Sequence, residues 1–283
     1  MAFPSWYHAT MDEQLGRLQF IRTVSGLGIL FLLLAWESAA PFVRLFERKW
    51  RDRARHAGSN FSLGIINAGL SASATVALWS WAAQWANLHR FGLLNWLGLS
   101  LWPHALGAIA SFDLWMYWWH RANHRVGLLW RFHRTHHSDP KMDVTTAHRF
   151  HFGEILFSSL LRMPVILLVG VRLWELVCYE TLLFAVVQLH HANVALAPKL
   201  DRWLRVLIVT PTIHKVHHSR FQPETDSNYS SLFTLWDRLF QTLRLRPDPA
   251  TIEFGLNDFD SQETQTVLGL LKTPLGRNVR REA

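Results

Sequence analysis

Cysteine is almost absent from this sequence, whose 283 residues include a single one, Cys178. An intramolecular disulfide is therefore excluded, and so is a zinc or iron–sulfur site built on several cysteine thiolates. The chain also lacks a glycine-rich phosphate loop and a His-Glu-x-x-His protease motif. A metal site in this protein would have to use nitrogen and oxygen ligands.

Acidic residues are in deficit too, with 21 Asp and Glu against 29 Lys and Arg, which gives a net charge of +8. Basic residues beside apolar segments suit anionic lipid headgroups, and tryptophan next to arginine is typical of a membrane interface. We therefore expect no nucleic-acid partner. The first twenty residues lack the features of a secretory signal, so we expect the first membrane span to remain as an anchor.

Long apolar runs, in contrast, are abundant. Hydrophobic residues make up 49% of the chain, including 15 Trp and 18 Phe. Runs at residues 24–43, 61–85 and 93–119 are each about long enough to cross a bilayer. A fourth run, at residues 155–194, is interrupted by Arg162, Pro164, Gly170, Arg172 and Glu175. These interruptions predict a helical hairpin, either two short spans or one re-entrant segment.

The charge of the loops predicts an orientation. The loop between the first two spans holds six basic residues, namely Arg44, Arg48, Lys49, Arg51, Arg53 and Arg55. The next loop holds only Arg90, so the positive-inside rule predicts that the first loop is cytoplasmic. The sequence thus predicts an all-α, multi-pass integral membrane protein with about four to five membrane-embedded helices and a cytoplasmic helical cap.

Histidine is concentrated in one part of the chain, because twelve of the sixteen lie between His120 and His218. Most follow the spacings of three groups, His120-x3-His124, His133-x2-His136-His137 and His214-x2-His217-His218. Residues three and four apart share a face of a helix, so each group presents several imidazoles together. Eight or more imidazoles exceed the needs of one ion, which indicates a two-metal site on the cytoplasmic side. The isolated His8, His56, His89 and His104 are expected to be ordinary packing residues.

Several functions are compatible with clustered histidines. A histidine-ligated zinc hydrolase would need a carboxylate near the metal, for which Glu154 is the candidate. A haem cytochrome or a non-catalytic metal-binding membrane protein are further alternatives. Iron fits a nitrogen-rich site beside a bilayer better, since two ferrous ions can activate dioxygen for attack on an unactivated C–H bond. The substrate would then be a membrane lipid.

Two longer runs are specific enough to compare with a known family, RFHRTHHSDPKMDVTTAHRFH and TPTIHKVHHSRFQPETDSNYSSLFTLWDRLF. Together with the histidine groups they resemble the fatty acid hydroxylase superfamily, which includes sterol desaturases, C-4 methylsterol oxidases and alkylglycerol monooxygenase. The resemblance covers roughly residues 113–240. It implies a membrane-bound, O2-dependent, non-haem enzyme with two iron ions. The metal ligands that it implies are His120, His124, His133, His136, His137, His191, His214, His217 and His218.

Metal-bound imidazoles usually donate their second ring N–H to a neighbouring acceptor. Candidates for such supporting positions are Asn193, Asn228, Asp113 and Glu154, with Asp139, Asp143 and Asp237 as further possibilities; each could equally be a helix cap or a surface group. The family commonly has proline after the histidine that falls on His151, where this chain has Phe152. We therefore leave His151 out of the ligand set, and the roles of His148 and His190 stay open.

The resemblance also implies partners. Because the sequence shows no flavin motif and no haem-binding domain, we expect electrons to come from an external ferredoxin, cytochrome or reductase. Arg121, Arg125, Arg131 and Arg134 lie beside the histidine groups and would suit an acidic donor, or lipid phosphate. Sterol, acyl and ether lipids all remain open as substrates, as do hydroxylation and desaturation. We expect one domain over residues 1–283, with a core at 113–240, an N-terminal segment at 1–23 and a cytoplasmic cap at 248–283.

Overall fold

The computed structural model describes residues 5–46 and 49–276, and their side chains from residue 16 onward except those of residues 18 and 71–74. The side chain of His8 and the last seven residues of the expected cap therefore lie outside the described part. The helices are α1 (Ser5–Ala39), α2 (Trp50–Leu88), α3 (Leu93–Trp96), α4 (Leu101–Arg125), α5 (Gly127–His137), α6 (Phe152–Val169), α7 (Leu173–His191), α8 (Pro198–Leu207), α9 (Pro211–His217), α10 (Gln222–Thr225), α11 (Leu235–Leu239) and α12 (Val267–Lys272). Short 3₁₀ turns cover Val144–His148, Pro249–Thr251, Asn257–Phe259 and Thr273–Leu275.

The expected all-α architecture is confirmed. In the described part of the chain, β contacts are limited to three isolated bridges. Three helical segments are long and apolar enough to cross a membrane, Gln19–Ala39, Phe152–Val169 and Leu173–His191. A fourth is reached if the pair Trp50–Leu70 and Thr75–Trp96, bent by 52°, counts as one span. The described residues thus offer three or four such segments, where the sequence predicted four to five.

The third expected span, at residues 93–119, is wrong as a continuous helix. The chain leaves the helical conformation after Trp96, where Gly98 has a φ of 59°, and helix resumes at Leu101. Helix α4 then continues to Arg125 but is not among the apolar candidates. Its buried face carries Asp113, His120 and His124, so α4 is better described as the helix that brings the first histidine group into the core.

The predicted hairpin is present as α6 and α7, which are joined by a turn at Gly170. This glycine has a φ of +77°, and a Cβ there would lie 2.6 Å from the Phe91 carbonyl oxygen. Only glycine fits such a turn without strain. Glu175 then accepts from the backbone N–H of Arg172 and so closes the first turn of α7. Three of the interrupting residues, Gly170, Arg172 and Glu175, are therefore elements of the turn itself.

The part of the C-terminal segment that the structure describes packs on the helix carrying the second histidine group. The guanidinium of Arg134 donates to the carbonyl oxygens of Thr273 (2.6 Å) and Gly276 (2.8 Å). Arg149, also buried, donates to the Thr135 carbonyl and to Gln265. These bonds fix α5 against the C-terminal segment and cover the end of the helical bundle.

Candidate metal centre

Nine buried histidines form two compact groups. The first contains His120, His124, His133, His137 and His217, and the second contains His136, His191, His214 and His218. Within each group, one ring nitrogen from every member lies within 4.8 Å of all the others. The groups adjoin, since His137 of the first stacks on His218 of the second with ring centroids 4.4 Å apart. These are the nine histidines that the sequence singled out.

Helix geometry explains how neighbouring histidines enter different groups. Successive residues of an α-helix point about 100° apart, whereas residues four apart share a face. His133 and His137 on α5 therefore join the first group, and His136 turns toward the second. The same separation applies to His217 and His218 at the end of α9. Each doublet of histidines thus connects the two groups.

The ring nitrogens meet at distances that suit a shared cation. In the second group, the Nε2 atom of His191 lies 3.0 Å from that of His136 and 3.1 Å from that of His214. The Nδ1 atom of His191 donates to the Val187 carbonyl oxygen at 2.7 Å, so its Nε2 carries a lone pair. This Nε2 has no proton to donate to either neighbour. All three Nε2 atoms would suit a shared metal ion.

The first group has the same arrangement. His133 donates from Nδ1 to the carboxylate of Glu154 at 2.9 Å, which leaves the lone pair on Nε2. This Nε2 lies 3.1 Å from that of His124 and 3.2 Å from that of His137. A ring of five imidazoles around a common point is a donor set that iron and other borderline metals accept. Both groups therefore fit a metal ion by geometry and by chemistry.

Acceptors on the outer side of the rings fix their orientation. Nδ1 of His120 donates to the Tyr229 carbonyl oxygen at 2.8 Å, and Nδ1 of His217 donates to that of Ser227 at 2.7 Å. His124 faces the carboxylate of Asp226 at 3.5 Å. With Glu154, these groups select the tautomer that turns Nε2 inward. The sequence did not identify Ser227 and Tyr229, because backbone carbonyl acceptors leave no side-chain signal.

Burial keeps the histidines neutral. Desolvation, reinforced by neighbouring histidines, holds the pKa values of His136, His137, His214 and His218 well below 6.5. The Nδ1 atoms of His136, His137 and His214 are also buried with no hydrogen-bond partner among the described residues. Since buried polar atoms are normally satisfied, such atoms point to a missing ion or water. Neutral imidazoles at physiological pH are ready to bind metal.

Of the four polar residues considered as supports, Glu154 contacts a histidine and the other three brace the surrounding chain. Asn193 bonds the backbone of Val43 and thereby ties the end of α7 to the loop after α1. Asn228 bonds the carbonyl oxygens of Ile213 and Arg244. Asp113 accepts from the Phe233 N–H and the Trp236 indole. Their hydrogen bonds position loops near the histidines without reaching the imidazole rings.

The remaining acidic candidates support the chain in similar ways. Asp237 accepts from the Tyr229 N–H, next to the carbonyl that holds His120. Asp139 accepts from His56 at 2.8 Å and from Thr146 at 2.6 Å. The charges of His56 and Arg149 outweigh the burial of Asp139 and lower the pKa of its carboxyl below 3.8. Asp143 caps the 3₁₀ turn Val144–His148.

The three unassigned histidines take different positions. The ring of His190 lies 3.8 Å from that of His214, centroid to centroid, so it contacts the second group without belonging to it. His151 accepts from the Gly153 N–H and caps α6, and His148 packs against the Phe61 ring. The proximity of His190 could have been expected from its place next to His191.

The isolated histidines are packing residues, as expected for those that the structure describes. His56 is bonded to Asp139, His104 to Glu175 at 2.8 Å, and His89 to the Trp85 carbonyl oxygen at the surface. The idea that Arg134 docks an electron donor is wrong, because this arginine is buried with 1% exposure. Arg125 and Arg131 are exposed.

A cavity of about 280 Å³ adjoins the histidines. Its lining combines rings from both groups with apolar side chains of α4 and α7 and with an ion pair deeper in the protein. The closely packed histidine rings, with centroids of neighbouring members of one group 4.4 to 5.1 Å apart, leave no room for a porphyrin plane between them. An apolar molecule in this cavity would contact the histidine groups directly.

Comparisons with known proteins agree with this arrangement. A family model described as fatty acid hydroxylase matches residues 105–242, which hold all nine clustered histidines. The chain contains a fatty acid hydroxylase domain. Its domain of that family therefore begins within α4 and ends shortly after α11.

Curated relatives share part of the chain. The ornithine lipid hydroxylase of Rhizobium tropici is 32% identical over 64% of this chain and 54% of its own length. Human alkylglycerol monooxygenase is 29% identical over 68% of this chain and 41% of its own length. A very-long-chain aldehyde decarbonylase of Oryza sativa subsp. indica is 28% identical over 54% of this chain and 25% of its own. The matched region thus spans about half or less of these relatives, and no solved structure matches the chain.

Proposed function

We propose that this protein is a membrane-bound, O2-dependent, non-haem di-iron oxidoreductase that hydroxylates or desaturates a C–H bond of a lipid. The observation that carries the proposal is the pair of adjacent, buried imidazole groups opening on a largely apolar cavity. One iron ion would be held by the five-histidine group and the other by the four-histidine group. Histidine-rich sites without thiolates resist the oxidant that attack on a C–H bond requires.

Bound iron would supply the activation of dioxygen. In hydroxylation, two external electrons and two protons convert R–H and O2 into R–OH and one water. In desaturation, the same electrons, protons and O2 convert a saturated pair of carbons into an alkene, and two waters are formed. The protein supplies the rest. Its imidazoles stay neutral and fixed by outer acceptors, and Leu183, Phe184 and Val187 offer an apolar wall for a hydrocarbon chain. Burial of the histidines excludes bulk water from the reacting carbon.

The site is proposed to lie at the cytoplasmic membrane interface of a single multi-pass domain. Helix α8, which leads to the helix carrying His214, supports this placement. Leu200, Trp203 and Val206 form an exposed apolar face on α8, with Trp203 79% exposed, while Asp201 is buried. A short helix with such a face suits the boundary between headgroups and acyl chains. A lipid would then reach the cavity without leaving the membrane.

The names of the relatives favour acyl or ether lipids over sterols among the substrates considered. Ornithine lipid and alkylglycerol are both lipids, and both relatives are similar to this chain across the histidine region. Comparative lipid mass spectrometry of cells with and without the gene tests the proposal. We expect lipids that gain one oxygen or lose two hydrogens only when oxygen is present. A hydrolysis product formed without oxygen would favour a zinc enzyme, and unchanged lipids with a metal-loaded protein would favour a metal carrier.

Glu154 provides a test of the support around the first group. Glu154→Gln is expected to weaken metal binding by about 10- to 100-fold, because the amide is a poorer acceptor for the His133 N–H. Chelator competition on the purified variant measures this change. Glu263→Gln, at an exposed position, serves as the control. Equal metal affinity in both variants would contradict the role of Glu154.

Docking of an external electron donor is proposed at the exposed arginines near the histidine groups. A double change, Arg125→Gln with Arg131→Gln, is expected to slow turnover about tenfold with an acidic protein donor, because it removes complementary charge. Turnover driven by a chemical reductant should be unchanged, and steady-state rates with the two reductants measure the difference. An equal loss with both reductants would contradict docking at this surface.

A further inference from the structure

The cavity beside the histidines contains an ion pair that the proposed chemistry does not use. Arg162 of α6 and Glu180 of α7 line this cavity and bind each other through Nη1 and Oε1. The Arg162 side chain is only 6% exposed and that of Glu180 is 16% exposed. A buried ion pair is costly and adds little net stability, and charges within membrane-spanning helices are commonly functional.

The positions on α7 show where the pair lies relative to the histidines. Glu180 is eleven residues before His191, which corresponds to about 16 Å along the helix axis. Leu183, Phe184 and Val187 lie between them on the same face, and all five residues line the cavity. The cavity is therefore a slot with a charged end, an apolar middle and a histidine end.

Arg162 retains an unused donor. Its Nη1 binds Glu180, its Nη2 lies 3.0 Å from the Met116 sulfur, and its guanidinium stacks over Trp79 at 4.6 Å. Its Nε is buried and has no hydrogen-bond partner among the described residues. A buried N–H of this kind calls for an oxygen acceptor.

A third charge makes this end of the cavity net positive. Gly26 of α1 packs on the Phe184 ring and accepts from Gln188 at 3.3 Å. Arg22 lies four residues before Gly26 on α1, and Glu180 lies four residues before Phe184 on α7. Both side chains line the cavity. Two arginines and one glutamate give a net charge of +1, which favours an anionic oxygen group. Arg22 lies three residues into the span Gln19–Ala39, near the membrane boundary opposite the histidines in the proposed topology.

We propose that Arg162 and Arg22 bind the anionic oxygen group of a chain-bearing lipid, a carboxylate or a phosphate, while Glu180 holds the Arg162 guanidinium in place. The alkyl chain of this lipid runs along α7 to the histidines. The slot then selects an amphiphile and fixes the oxidised carbon about twelve to thirteen carbons from that group, because an extended chain advances about 1.3 Å per carbon over the distance of about 16 Å along the helix. This inference rests on the proposed function and names its substrate class.

Binding to metal-free protein tests the inference independently of catalysis. The probes are dodecanoate, dodecyl phosphate and neutral dodecanol, measured by titration calorimetry on chelator-treated full-length protein in detergent. We expect at least one anion to bind tenfold or more tightly than dodecanol, and the better anion identifies the headgroup chemistry. No preference for either anion would overturn the inference.

Variants test which residues cause the preference for an anion over dodecanol. The double variant Arg162→Met with Glu180→Met removes both charges together and leaves no unpaired buried charge, and it is expected to abolish the preference. Arg22→Gln, at an exposed position, is expected to reduce it about threefold even if the double variant fails to fold. Arg17→Gln, on the same helix but outside the cavity lining, should keep it. A preference unchanged in the double variant, or in Arg22→Gln, would overturn the assignment.

Product analysis separates this inference from the proposed function. With iron-loaded protein, lipids of different chain length should be oxidised at a constant number of carbons from the polar group. If the oxidised carbon instead lies at a constant distance from the methyl end, the charged end of the cavity is not the anchor, and the inference is overturned. Lipid oxidation itself would still stand. If no lipid is oxidised but the anion preference is present and depends on Arg162, the binding subsite stands and the oxidase proposal fails.

Discussion

Alanine in place of His214 is expected to remove one metal ion and to abolish lipid oxidation, a loss of at least about 10³-fold in turnover. His214 belongs to the four-histidine group, whose ion would keep three imidazoles. A metal ion that loses a ligand from a buried shell is held far more weakly. The five-histidine group keeps all of its ligands, two of them on α4, and has its own outer acceptors, so its ion should remain. Metal analysis of the purified variant should give about half of the wild-type content.

The reciprocal variant makes this prediction specific. His124→Ala, in the five-histidine group, should also abolish activity while sparing the ion of the other group. His89→Ala is the matched control, because His89 is exposed and lies outside both groups. His56 would be a poor control, since it supports the buried Asp139. Full activity in His214→Ala, or loss of both ions from every variant including His89→Ala, would contradict the two-group arrangement.

Acidification is the second large effect. Burial lowers the pKa values of His136, His137, His214 and His218 below 6.5, so the unfolded chain binds protons more readily than the folded one. Stability is therefore complete above pH 6.5 and is lost as the pH falls below it. All four histidines contribute to this loss of stability, which is expected between about pH 6.5 and 5.5 because the unfolded chain gains protons there that the folded histidines do not bind.

Thermal unfolding of metal-free protein across this pH range measures the effect. The melting temperature should fall steeply below pH 6.5, and added iron should oppose the fall by keeping the rings deprotonated. His218→Phe, which removes one titrating ring but keeps an aromatic side chain, should reduce the slope. A melting temperature that is constant down to pH 5.5 would contradict the neutral state of the buried histidines.

The sequence was a good guide wherever local geometry decides the outcome. The spacing of His133, His136 and His137 predicted imidazoles that share helix faces, and α5 is the helix that presents them. The hairpin was likewise readable, because glycine and charged residues divide its apolar run. Resemblance to a family added His191, which stands far from the other groups in sequence.

Tertiary contacts determined what the sequence did not reveal. Division of the nine histidines into five and four depends on how α4, α5, α7 and α9 meet. Arg134 has the same sequence signature as the exposed Arg131, yet packing of the C-terminal segment buries it. Asn193 and Asn228 were polar residues in suggestive motifs, and their partners are backbone groups of distant loops.

Arg162 illustrates the same limit within the hairpin. Its charge marked an interruption of an apolar run, which the sequence assigned to a polar turn. The turn lies at Gly170, and Arg162 instead faces Glu180 across two adjacent helices in the cavity. Pairing of this kind depends on the register between α6 and α7, which no local pattern encodes.

The central claim is that each chain holds two iron ions in separate histidine groups. Elemental analysis of protein purified from iron-supplied cells, and then reconstituted to saturation with ferrous iron without oxygen, measures it most directly. The account predicts two iron ions per chain, falling to one in His214→Ala. A wild-type protein that holds one iron ion or none per chain at saturation would contradict it. So would a protein that retains zinc and does not bind iron.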